Sequence, residues 1–338
     1  MMKLTRVRFL ILFFSLFIAS NLCGQNKVYP SKIIVDINGT GNYKTIQEAV
    51  NSIRDLGEQE VEIFVKNGVY NEKLIIPSWK TKILLVGESK EKTIITNNDY
   101  SGKVIAAGKD EFGNAKFSTF TSHTVQVLAN DVTFQNLTIA NTAGRVGQAV
   151  ALHVEGDRFA AINCSFLGNQ DTLYLATDNS RQYYFNCYVE GTTDFIFGSA
   201  TVVFDRCIIK NLTNSFITAA STLKVQQFGF VFLHCKLIAE ADVTKAYLGR
   251  PWRPNAKTVF LYSELGKHIS PDGWNPWKGD AMFPEKEKTT FYAEFENMGE
   301  GSDTNQRVNW AKRLSKKEAK KYTVQNILKG NDGWNPEK

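Results

Sequence analysis

The sequence predicts an all-β solenoid, a chain wound into coils that stack one on the next. Three observations carry that prediction. First, a short motif recurs, as Ala161-Ile-Asn-Cys-Ser-Phe166, Tyr184-Phe-Asn-Cys-Tyr-Val189, Phe204-Asp-Arg-Cys-Ile-Ile209 and Phe232-Leu-His-Cys-Lys-Leu237, with a cysteine-free copy at Phe134-Gln-Asn-Leu-Thr-Ile139. Successive copies lie 20 to 28 residues apart, the signature of an internal repeat. Second, the intervals hold short alternating apolar strands between Gly, Asn and Asp turns and lack a 3.6-residue period, so βαβ units are excluded. Third, 43% hydrophobic, 12% aromatic and 22% charged residues over 338 positions suffice for a large core and exclude a disordered or collagen-like chain.

Taken in chain order, Lys3, Arg6 and Arg8 lead into an apolar run from Phe9 to Ala19, a signal-peptide pattern over residues 1–24. The run is about half of what a spanning helix needs. The expected mature chain is therefore one solenoid domain over 25–338 with no membrane span, exported to a periplasm or outside the cell. Tyr43 to Arg54 reads as the one clear helix near the start. It places Ile46, Ala49, Val50 and Ile53 on one face, and Thr45 and Glu48 have capping-box spacing. Such a helix would cover the open end of the solenoid. Ser315 to Lys329, with Lys316, Lys317, Lys320 and Lys321, reads as a solvated helix packed outside.

Charge argues against nucleic acid. Loss of the leader removes three of 40 basic residues and none of 34 acids, leaving 37 − 34 = +3. Export makes the cysteines meaningful, because oxidising compartments preserve disulfides. Coils stacked at ~4.8 Å would bring equivalent cysteines into bonding range, with Cys187 and Cys207 the best pair. The competing expectation is a buried ladder of free thiols. No CxxC or HExxH spacing marks a metal site.

No GxSxG elbow, Walker loop or GxGxxG occurs. His153 and Glu155 share a strand face and read as a polar pair. More telling, Gly168-Asn-Gln-Asp-Thr-Leu173 and Gly191-Thr-Thr-Asp-Phe-Ile-Phe-Gly198 each set an aspartate at the end of a turn in successive coils. Stacking would bring Asp171 and Asp194 side by side, where two carboxylates separate into an acid and a base or nucleophile. Gln148 and Gln170 offer neutral amide donors for an oxyanion. Arg250, in Leu248-Gly-Arg-Pro-Trp252, can hold an aspartate ionised through a bidentate contact. Together these parts suit ester hydrolysis.

At these residues, and at Gly68-Val-Tyr-Asn-Glu72 and Gln148-Ala-Val-Ala-Leu152, the sequence resembles the pectin methylesterase (pectinesterase) family from about Ile33 to Leu314. The resemblance implies a right-handed parallel β-helix that needs no metal or organic cofactor and takes methylated pectin as its polysaccharide substrate. It also implies roles: Asp194 as nucleophile, Asp171 as acid and then base, Gln148 and Gln170 as the oxyanion hole, and Arg250 orienting Asp194. Trp252, Phe197 and Trp274 would bind sugar, although Phe197 could equally be core. A monomer is expected. Other readings open at this point are an esterase for a different acyl ester, a pectin-cleaving lyase or glycosidase, and a non-catalytic pectin-binding solenoid.

Overall fold

The computed structural model describes residues 29–106 and 108–338, so the expected leader at 1–24 lies outside the described residues. Ser31–Lys338 forms one compact unit. Its strands build three sheets of 11, 8 and 7 strands, and in each sheet a strand's neighbour in sequence order is generally three strands away. The chain visits all three sheets in turn and returns one rung further on, which defines a parallel β-helix. Strand pairing within the sheets is parallel, as in Arg181–Phe185 beside Thr201–Asp205, and such crossovers take the right hand.

The repeated motif marks one corner of this coil. Asn136, Asn163, Asn186, Arg206, His234 and Tyr262 all adopt left-handed backbone, with φ between 52° and 54°. Asn adopts that region more readily than most residues. The following residue in each copy, Leu137, Cys164, Cys187, Cys207 or Cys235, then points into the core. Inside, aligned positions stack like on like. Tyr184, Phe204, Phe232 and Phe260 form a ring column with centroids 4.8, 4.8 and 4.2 Å apart.

The four cysteines of the repeat make a second internal column, and here the ladder reading holds: among the described residues these four are free, and the Cys187–Cys207 disulfide is not formed. Parallel stacking sets the side chains abreast, and three of the thiols donate to a carbonyl of the preceding rung, while Cys164 Sγ donates to Ile162 O on its own rung at 3.4 Å. Cys187 Sγ reaches Ala161 O, Cys207 Sγ reaches Tyr184 O and Cys235 Sγ reaches Phe204 O, each at 3.3 Å. Burial pushes the Cys164, Cys187 and Cys207 thiols well above their ordinary pKa, which keeps them unreactive. A thiol reagent is thus expected to leave these positions unlabelled in the native protein and to label all four after denaturation, read by peptide mass spectrometry.

The N-terminal helix runs over Ile46–Ser52, shorter than the periodicity predicted, because Ile53 turns to extended backbone and drops into the core. The Thr45–Glu48 capping box is present. A further acceptor comes from Glu72, whose carboxylate takes the amides of Ile46 and Gln47 at 2.8 and 3.0 Å. The Gly68 to Glu72 motif is therefore structural, and it suits the positive end of the helix. At the C-terminus the predicted single helix is two short ones, Lys316–Ala319 and Val324–Leu328. The second buries Val324, Ile327 and Leu328 with Tyr183 and Val203 on the outside of the largest sheet. Asp332 then ties the tail down through Arg158 at 3.1 Å and Arg181 at 2.6 Å.

Candidate active site

The seven-stranded sheet presents one outward row in strict register: Gln126, His153, Tyr174, Phe197, Ala219 and Arg250. Ile196, beside Phe197, points inward and is fully buried, so the alternation of the strand puts Phe197 on the outer face. Its ring lies flat on Tyr174 at 4.7 Å and meets the edge of Trp252 at 5.8 Å.

Asp171 and Asp194 stand just before this row, each two residues ahead of the aligned pair Leu173 and Ile196. Both take left-handed backbone, with φ of 65° and 50°, in the turns that enter their strands. The turns are pinned from the next rung, since Asp171 N donates to Thr193 O at 3.1 Å and Asp194 N donates to Phe216 O at 2.8 Å. Just beyond them, Gly198 has φ of 128° and its Cα faces the Leu175 carbonyl where a Cβ would overlap. Gly198→Ala is expected to cost about 2 kcal/mol or more, read as a lowered melting temperature.

Arg250 grips Asp194 with two bonds, Nε to Oδ1 at 2.9 Å and a terminal nitrogen to Oδ2 at 2.6 Å. The guanidinium is held by rings, 4.0 Å from the centre of Phe216 and 3.6 Å from that of Trp277. Gln148 and Gln170 are bridged as neighbours on adjacent rungs. Among the described residues neither side-chain amide has a hydrogen-bond partner, so both donors are free. Asp171, Asp194, Gln148, Gln170 and Arg250 line one cleft of about 380 Å³, with Thr119, Phe120, Phe197, Ala219, Trp252 and Trp277 completing its walls.

The electrostatics separate the two acids. Burial raises the proton affinity of both. For Asp171 the facing charge of Asp194 adds to burial and drives its carboxyl well above the usual range. For Asp194 the Arg250 bonds, and more distantly Lys286, oppose burial and hold the shift down. The proton thus favours Asp171, leaving Asp194 as the anion.

Of the eight residues expected to act on substrate, the structure brings seven into this cleft: Asp171, Asp194, Gln148, Gln170, Arg250, Trp252 and Phe197. Trp274 is a correction. It is fully buried, aligned with Gly249 on the inward side, and its indole packs on Tyr292 at 4.4 Å, so it cannot meet a sugar. The second tryptophan of the cleft, beside Trp252, is Trp277, three residues on; the sequence reading missed it, along with Thr119 and Phe120 of the cleft wall and Phe216 against Arg250. His153 and Glu155 lie outside the cleft. The imidazole is buried with Nε2 2.9 Å from Glu155 Oε1, and both line a neighbouring hollow that shares Phe120.

Fold and site define a class: parallel β-helix proteins with a paired-carboxylate cleft and free amide donors, an arrangement suited to ester hydrolysis. The family model described as Pectinesterase matches residues 32–331. The chain belongs to the pectinesterase family, whose members are carboxylic ester hydrolases. It is 38% identical over 309 residues to putative pectinesterase 11 of Arabidopsis thaliana, covering 90% of this chain and 81% of that one. It is 36% identical over 318 residues to probable pectinesterase/pectinesterase inhibitor 58 of the same plant, covering 89% and 52%. The chain thus spans about half the length of several curated relatives that it matches. Among solved structures it is similar to pectin methylesterase from carrot, with TM-score 0.79, 32% identity and coverage of 91% of this chain and 96% of that one. PemA of Erwinia chrysanthemi gives 0.78, 28%, 91% and 98%.

Proposed function

We propose that the protein hydrolyses methyl esters of galacturonate units in pectin, with Asp194 as nucleophile. The observation that carries this reading is the two-point Arg250 grip on Asp194, next to a second buried aspartate that favours its proton. An Asp194 oxygen attacks the ester carbonyl carbon, and the amides of Gln148 and Gln170 donate to the oxygen that gains charge. As the tetrahedral centre collapses, the C–O bond to methanol breaks and Asp171 gives its proton to the departing oxygen. An acyl-enzyme anhydride remains on Asp194. Asp171, now ionised, takes one proton from water as the water oxygen attacks the acyl carbon; the bond from that carbon to the Asp194 oxygen breaks, freeing Asp194 as the anion and Asp171 protonated, and the galacturonic acid released loses its remaining proton to solvent. Trp252 and Phe197 stack on sugar rings, and the Trp277 indole keeps Arg250 in place. Residues 25–338 act as a single domain, monomeric and exported, with the cleft built from one chain and the Lys3 to Ala19 pattern in support.

The chemistry sets a pH dependence. Asp194 must be ionised and Asp171 protonated, so kcat/KM should fall on the acidic side as Asp194 gains a proton. It should fall on the alkaline side as Asp171 loses one, above the usual carboxylate range. A pH series of methanol release from highly methylated polygalacturonate tests this, and the absence of methanol from the wild type would direct the same residues to another acyl ester. Trp252→Ala is expected to raise KM roughly five- to ten-fold with a smaller change in kcat, measured in the same assay.

A further inference from the structure

The segment after the cleft tryptophans brings a second cation toward Asp194. Lys286 opens the short 3-10 turn Lys286–Thr289, and its side chain is fully buried. Its Nζ lies 2.5 Å from Asp280 Oδ2, donates to the Trp252 carbonyl at 3.3 Å and sits 4.4 Å from the centre of the Trp277 ring. Trp277 is the same indole that holds Arg250 at 3.6 Å. A continuous set of contacts therefore runs from Asp280 through Lys286 and Trp277 to Arg250 and on to Asp194. Burying an ammonium is costly, and an apolar side chain would fill the same space without that cost. The charge at this place calls for a use.

We propose that Lys286 is a positioning residue for the ester hydrolysis: it fixes Trp277 against Arg250, and through Arg250 the two-point grip on Asp194, and it anchors the Trp252 backbone. The inference rests on the reading of Asp194 as nucleophile. The charged and titratable groups that face Asp194 are Asp171, Arg250, Lys286 and the buried Tyr292 hydroxyl, and those facing Lys286 are Asp280, Arg250 and Arg253. Asp280 is the counter-charge of Lys286, while Arg250 and Arg253 repel it. Lys286 and Arg250 both favour the ionised form of Asp194.

The test is a pH series of kcat and KM for methanol release from methylated polygalacturonate. It compares wild type, Lys286→Met, Lys286→Gln and Asp194→Asn, with folding followed by circular dichroism melts. Removal of a nearby cation makes the nucleophile easier to protonate, so its ionised form is lost at a higher pH as the pH falls. The expected result is that kcat falls about three- to ten-fold at neutral pH in both lysine variants, and that the acidic limb of kcat/KM moves to higher pH. A limb at the wild-type position in whichever variant folds overturns the proposal, even if the rate falls uniformly. Failure of both variants to fold assigns Lys286 to stability and overturns it too. Methanol release by Asp194→Asn would remove the nucleophile reading itself. Loss in Asp194→Asn with an unmoved limb in the lysine variants removes this inference alone.

Discussion

Asp194→Asn is expected to lower kcat for methanol release by on the order of a thousand-fold or more while leaving the fold intact. The amide nitrogen cannot form the acyl-enzyme, and Asn keeps the shape and one acceptor for Arg250. Because Asp194 is buried with a 6% exposed surface, water has little room to replace the missing nucleophile. Its melting temperature should stay close to wild type, since the substitution also removes a buried charge. Methanol assay and thermal melt on one sample separate the two effects.

Arg250→Ala should lose both activity and stability. Its removal strands the Asp194 carboxylate in a buried site without its two donors, and breaking such a pair costs about 3–5 kcal/mol near neutral pH. The sign of the pH dependence follows from linkage. Without Arg250 the folded-state pKa of Asp194 rises further above its unfolded value of about 3.9. The deficit relative to wild type is then absent where Asp194 is protonated in both folded proteins, and it grows as pH rises from the wild-type folded pKa, itself raised, to the higher one of the variant. Denaturant titrations at acidic and neutral pH should show the variant approaching wild type only under acid. Kinetically, kcat should drop with it, because the nucleophile spends more of its time protonated and Trp277 and Phe216 lose the group they flank.

Much of the site was legible because it is built from local turn chemistry repeated at a coil's spacing. Asp171 and Asp194 occupy equivalent turn positions, and once strands stack in register they must be neighbours. The aromatics were less legible, for a reason of register. Trp274 and Trp277 sit in one Gly-Trp-Asn-Pro-Trp run, and composition does not distinguish them. The pairing of Trp274 with Gly249, one residue before Arg250, sends it inward, whereas Trp277 reverses through left-handed backbone at φ 54° and comes back over Arg250. Alternation counted from Arg250 along the neighbouring rung was the signal that could have found it. The cysteines misled in a similar way: rung spacing allows a disulfide, but the parallel column gives Cys187, Cys207 and Cys235 each a carbonyl on the rung before it. Lys286 carried no motif, since its role depends on how an irregular loop folds back to set it against Asp280, Trp277 and the Trp252 carbonyl, which sequence spacing does not encode.

The most direct test of two aspartates working on one carbonyl is a double-mutant cycle read in methanol release. Asp171→Asn, Asp194→Asn and the double variant are compared with wild type under saturating methylated polygalacturonate. Groups that act as a unit lose their effect together, so the double variant should be no slower than the slower single. Losses that multiply across the cycle would mean that the two carboxylates act independently, and the shared-site chemistry would be wrong.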